Sequence, residues 1–116
     1  MSYRDGINRT ANHDTKGIQS RLVDPNRIVL LNAVLGLSGE AGEVVDVVKK
    51  VIMHGRELDR DKLINELGDV RYYLELAAKA LDVSMEEIER LNLEKLDKRY
   101  PNGFSLEHSI QKLDEK

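Results

Sequence analysis

The chain has 116 residues, 34% charged, 41% hydrophobic and 4% aromatic, with a formal net charge of −3 and a pI near 5.6. That length suits one small domain spanning residues 1–116 with its core at roughly 24–105, and with four tyrosines and one phenylalanine to fill it, self-association is expected to complete the core. The acidic balance offers no basic footprint for nucleic acid, and the absence of cysteine excludes disulfides, thiolate metal sites and a cysteine nucleophile.

The start of the chain, Met1 to Gly6, has no apolar signal core, and the apolar run Ile28–Leu37 is too short to span a bilayer. A soluble protein of the cytoplasm is expected, or of the host cytoplasm for a viral chain, with no membrane partner. Residues 1–23 have weak periodicity, and the polar stretch from Asn12 to Gly17 predicts a short or interrupted helix. Asp24-Pro25 is a helix start, an N-cap acid followed by proline at the first helical position, and the pattern then runs to about His54. The first half of this helix, Ile28 to Leu35, is apolar nearly all round, which predicts burial on several sides by other helices or by a second subunit.

His54-Gly55-Arg56 ends that helix, and Asp59 caps a second whose stripe is Leu63, Leu67, Val70, Leu74, Ala77 and Leu81. Ser84 to Glu87 reads as a capping box opening a third helix with Ile88, Leu91 and Leu96, which stops at Tyr100 because Pro101 follows. Leu106 to Leu113 predicts a short final helix. The fold class is all-α, a four-helix-type bundle of antiparallel helices completed by oligomerisation.

Two segments of this pattern carry chemistry. Glu40-Ala41-Gly42-Glu43 and Glu66-Leu67-Gly68-Asp69 each place two carboxylates three residues apart, hence on one helix face at the border of the apolar stripe. Glu40 and Glu43 have no Lys or Arg three or four positions away, and Asp46 adds a further acid. If the two helices pack antiparallel, the four carboxylates can converge into an oxygen-rich cage, which suits Mg²⁺ or Mn²⁺. His13, His54 and His108 are not spaced as helical metal ligands, and a ferritin-like di-iron site, which needs Glu-x-x-His, is disfavoured. Gly36, Gly39 and Gly42 lie inside the long helix, where each costs about 1 kcal/mol against alanine. Close helix approach or clearance for a ligand would offset that cost. Tyr73 follows Asp69 by one turn, and Asn92, Lys95 and Arg99 form a stripe on the third helix that could grip phosphates. The competing reading is a solvated acidic face, since so charged a chain produces such pairs by chance, as at Glu86 and Glu89.

The blocks Gly36-Leu37-Ser38-Gly39-Glu40-Ala41-Gly42-Glu43-Val44, Lys49-Lys50, Glu66-Leu67-Gly68-Asp69-Val70 and Asn92-x-x-Lys95-Leu96-x-x-Arg99-Tyr100-Pro101 resemble the MazG-like nucleotide pyrophosphohydrolases over roughly residues 28–105. The resemblance implies an all-α enzyme that cuts a nucleoside triphosphate between its α and β phosphates with Mg²⁺ or Mn²⁺, and a homo-oligomer, usually a tetramer built as a dimer of dimers. It carries the metal ligands over to Glu40, Glu43, Glu66 and Asp69, with Glu40 also orienting or deprotonating the attacking water. Lys95, Arg99 and Lys50 would hold phosphate oxygens, Tyr73 and Asn92 the sugar or phosphate, and His13 and Asn32 would offer hydrogen bonds to the base. The family's first acidic block opens with two adjacent glutamates, and this chain has Gly39 at the first, which leaves the number of metals open. Narrower specificity for dUTP, dCTP or dGTP is an alternative within the enzyme class. A helical interaction module using Ile28–Leu37 is the alternative outside it.

Overall fold

The computed structural model describes residues 1–116 and is entirely helical. Two short helices open it. Helix α1 (Tyr3–Thr10) begins with a capping box in which Ser2 Oγ accepts from the Asp5 amide and the Asp5 carboxylate accepts from the Ser2 amide. Helix α2 (Thr15–Arg21) is capped by Asp14, which accepts from the Gly17 amide. The interruption predicted near Asn12 is therefore the break between them.

Helix α3 (Pro25–His54) starts and stops where its signals lie. Asp24 accepts from the Asn26 amide, Pro25 occupies the first turn, and Gly55 closes the helix at φ 66°, a left-handed conformation that glycine adopts without strain. Helix α4 (Arg60–Ala80) is capped by Asp59 through the Lys62 amide and ends beside Asp82, which takes φ 55°. Helix α5 (Met85–Arg99) uses the Ser84 hydroxyl, which accepts from the Glu87 amide, and ends ahead of Pro101. Helix α6 (Leu106–Gln111) is shorter than predicted: Lys112 turns left-handed at φ 48°, and a 3-10 turn over Leu113–Glu115 follows.

Helices α3 and α4 form the principal packed unit, and the second is α5 with the C-terminal 3-10 turn. The α3–α4 pair is antiparallel. The Asn26 side-chain amide, at the start of α3, donates to the Ala80 carbonyl oxygen at the end of α4, satisfying one of the carbonyls that a helix C-terminus leaves unpaired.

A closed four-helix bundle is not formed within one chain. Only Ala33, Val47, Ala78 and Ala80 are buried, and the Cα radius of gyration is 19.8 Å, against about 13 Å for a compact chain of this length. The apolar surface of α3 is open on both of its halves. Leu22, Leu30, Leu31 and Val34 line one hollow with Arg21 and Arg27; Val44, Val45, Val48, Ile52 and Met53 line another with Lys49. Helix α3 contains an 18-residue stretch long and apolar enough to cross a bilayer, a property that core helices of soluble proteins share.

Candidate metal centre

Carboxylates of Glu40 on α3 and of Glu66 and Asp69 on α4 converge at the antiparallel seam, with one oxygen from each lying within 4.8 Å of the others. Glu40 and Glu66 are half-buried and Asp69 is exposed, so the cluster opens to solvent on one side. The convergence follows from the helix pattern. Each acid lies at the border of its apolar stripe, and antiparallel packing of those stripes brings the borders together.

Glu43, predicted as a fourth ligand, stands outside this triplet and is exposed. It shares a face with Glu40 on α3, but the seam meets α4 at the level of Glu40, one turn earlier. Its charge still reaches the site. Partial removal from water, and then the neighbouring Asp69, Glu66 and Glu43 carboxylates, raise the Glu40 carboxyl above the ordinary glutamate value. Three oxygen donors without a nearby cation fit a hard divalent ion. Ligands of an octahedral Mg²⁺ at about 2.1 Å stand about 3 to 4 Å apart, so oxygens within 4.8 Å of one another would have to draw closer to hold one.

Asp46 does not add to the acidic excess. It pairs with Lys50 one turn on, 2.6 Å away, and this contact, aided by the charges of Lys49 and Lys62, holds its carboxyl below the ordinary aspartate value. Lys50, predicted to hold phosphate, is thus engaged as the Asp46 counter-ion. The partner from α4, Lys62, was not legible from spacing within α3.

Gly36 is the one glycine of α3 whose missing side chain this chain uses. A Cβ there would lie 2.2 Å from the Tyr73 ring, whereas at Gly39 and Gly42 it would meet nothing within 4 Å. Tyr73 therefore packs on the bare backbone of α3, one turn from Asp69.

None of the other predicted substrate contacts belongs to the triplet. Asn32 is exposed, two turns before Glu40 on α3. His13 donates from Nε2 to the Asn8 carbonyl oxygen at 2.6 Å, bracing the break between α1 and α2. Asn92 and Lys95 are exposed on α5.

Arg99, predicted to hold phosphate, is paired within the chain. Its guanidinium fork is occupied by Asp114, through Nε to Oδ1 and through the second nitrogen to Oδ2 at 3.0 Å, with Glu115 at 3.5 Å. The Asp114 side chain is 3% exposed, and Arg99, followed by the charge of Lys95, holds its carboxyl below the usual range. In this conformation Arg99 tethers the C-terminal turn. Sequence spacing could not reveal the pair, because it joins residues fifteen apart in different elements.

A depressed carboxylate stabilises above its unfolded pKa and loses that contribution as pH falls through the folded value. The tether is therefore present at neutral pH and lost below the ordinary aspartate value of 3.8. Hydrogen exchange should show the Glu115 and Lys116 amides, which donate to the Lys112 and Leu113 carbonyl oxygens, protected at neutral pH and released in acid. Asp114→Asn should release them at neutral pH, and protection that persists in this variant contradicts the assignment.

A family model described as the MazG nucleotide pyrophosphohydrolase domain matches residues 30–104, which include α4, α5 and all of the acidic centre. A relative from Mycobacterium phage L5, named Gene 37 protein, is 40% identical over 73 residues, covering 60% of this chain and 64% of that protein. The match therefore spans less than two thirds of the relative's length. No solved structure matches the chain significantly. With a domain match across most of its length, centred on the helices that carry the carboxylates, the chain belongs to the MazG nucleotide pyrophosphohydrolase family.

Proposed function

We propose that the protein is a divalent-metal-dependent nucleoside triphosphate pyrophosphohydrolase, converting a (d)NTP to the monophosphate and pyrophosphate and so controlling or sanitising the nucleotide pool. The observation that carries this reading is the convergence of Glu40, Glu66 and Asp69 at the α3–α4 seam of a MazG-family chain. Mg²⁺ or Mn²⁺ held there supplies neutralisation of charge developing on the phosphates and a lowered pKa for a bound water. Glu40, alone on α3 across the seam from Glu66 and Asp69, is the group assigned to orient that water and take its proton. Glu43 flanks the ligands one turn away and adds to the negative field that draws a cation in. Lys95 and Asn92, exposed on α5, supply polar contacts to phosphate and sugar.

The active species in this proposal is a homo-oligomer, a tetramer arranged as a dimer of dimers. A chain with so few buried residues does not hold its own core, and the two apolar hollows on α3 are the surfaces a second copy covers. Lipid is a poorer cover, because Glu40 and Glu43 lie inside α3 and an ionised carboxylate at the bilayer centre costs about 3 kcal/mol or more. The protein then works in the cytoplasm, or in that of a host cell, as one domain acting on nucleotides and not on nucleic acid.

The test is pyrophosphate release from a panel of ribo- and deoxyribonucleoside triphosphates with Mg²⁺, with Mn²⁺ and with EDTA. Metal-dependent monophosphate production is expected, and the panel reveals whether the base preference is broad or confined to dUTP, dCTP or dGTP. No turnover on any triphosphate by a folded oligomer would favour a helical interaction module instead.

A further inference from the structure

The geometry points to Gly36 and Tyr73 as a positioning pair that sets the separation of α3 and α4 at the carboxylate triplet. The inference rests on the metal-site reading above and concerns residues outside the ligand set. Gly36 precedes Glu40 by one turn on α3, and Tyr73 follows Asp69 by one turn on α4. In an antiparallel pair these two steps run the same way in space, so the ring-on-backbone contact lies about 6 Å along the seam from the triplet. Tyr72 packs edge-on against the Tyr73 ring, with centroids 5.0 Å apart and planes at 89°.

The contact spaces the helices because the Tyr73 ring occupies the place a side chain at position 36 would take. A Cβ at position 36 would lie 2.2 Å from Tyr73 Cε1, where ordinary contact begins at 3.4 Å. Accommodating it requires the ring to leave or the helices to part by roughly 1 Å, a displacement that at a reacting centre can cost about 10²-fold. Glycine in mid-helix is itself unfavourable by about 1 kcal/mol, and the packing of an aromatic ring on the exposed backbone offsets that cost. Tyr73 acts here through its ring and not its hydroxyl, as a positioning residue for Glu40 on one helix and Glu66 and Asp69 on the other.

A double-mutant cycle read by Mn²⁺ binding tests this, with free Mn²⁺ followed by electron paramagnetic resonance as it is titrated into metal-free protein, and helicity checked by circular dichroism. Gly36→Ala should weaken Mn²⁺ binding about 10- to 100-fold, the range found when groups that orient metal ligands are removed. Tyr73→Phe should bind as the wild type does. Tyr73→Ala should weaken binding about tenfold by itself, and adding Gly36→Ala to it should cost little more, because the clash needs the ring. Wild-type affinity in Gly36→Ala would overturn the positioning role, and so would a Gly36→Ala penalty that persists in the Tyr73→Ala background. Should Gly36→Ala not fold, Tyr73→Ala and Tyr73→Phe decide alone: equal affinity in both overturns the proposal. A wild-type protein that binds no Mn²⁺ overturns the metal-site reading itself, an outcome distinct from all of these.

Discussion

Glu40→Gln is expected to lower turnover by about three orders of magnitude while leaving the helical fold intact, because it removes one ligand of a site asked to supply roughly 4 kcal/mol of transition-state stabilisation. Glutamine keeps the volume and one carbonyl oxygen but neither the charge nor the capacity to accept a proton. In the metal-free protein the same change should be neutral or stabilising. Glu40 sits among like charges that raise its carboxyl pKa, so neutralising it relieves repulsion from Asp69, Glu66 and Glu43. Loss of activity together with an unchanged or higher Tm separates this account from a structural role for the glutamate. A lower Tm with the residual activity of the folded fraction intact would contradict it. Mg²⁺ should raise the Tm of the wild type and not of the variant, since only a protein with the site gains stability from the ion.

The second large effect is expected at Val45, where glutamate should break the assembly. Val45 is 63% exposed in the single chain and lies in the apolar hollow with Val48, Ile52 and Met53. If a second copy covers that hollow through a two-fold interface, each substitution is met twice. An unpaired buried charge costs about 3 kcal/mol, so the symmetric pair weakens association by about 10⁴-fold. Glutamate has a better helix propensity than valine, so α3 itself is not weakened. Sedimentation analysis should therefore report a smaller species for Val45→Glu, with lower thermal stability, because the chain buries so little alone. An unchanged mass would show that this face of α3 is not the interface.

Much of the fold was legible because its punctuation is local. Asp24-Pro25, Gly55, Asp59, Ser84 and Pro101 mark ends through capping bonds or fixed φ angles, which depend on residues no more than a turn away. The N-terminal break and the early stop of α6 at Lys112 were less legible, since short helices have little periodicity to read. For the site, helical spacing placed Glu40, Glu66 and Asp69 on facing borders, and they meet. It could not show that Glu43 stands outside the triplet, because which turn of α3 meets α4 depends on interhelical register. Nor could it assign Arg99, whose partner lies outside α5, whereas the Asp46–Lys50 pair is a single helical turn and was open to reading from spacing. Lys50 is taken by Asp46 within α3, and Arg99 by Asp114 from beyond α6.

The bundle was the furthest from being legible. Apolar periodicity states that a face is covered without naming what covers it, and α3 keeps two uncovered hollows when only one chain is considered.

The most direct measurement is a ³¹P NMR time course of a nucleoside triphosphate with the wild-type protein and Mg²⁺, repeated with EDTA and with Glu40→Gln. Growth of the monophosphate and pyrophosphate signals is expected in the first sample alone. Diphosphate with inorganic phosphate as products, or undiminished pyrophosphate release in the presence of EDTA or from Glu40→Gln, would contradict the proposed reaction.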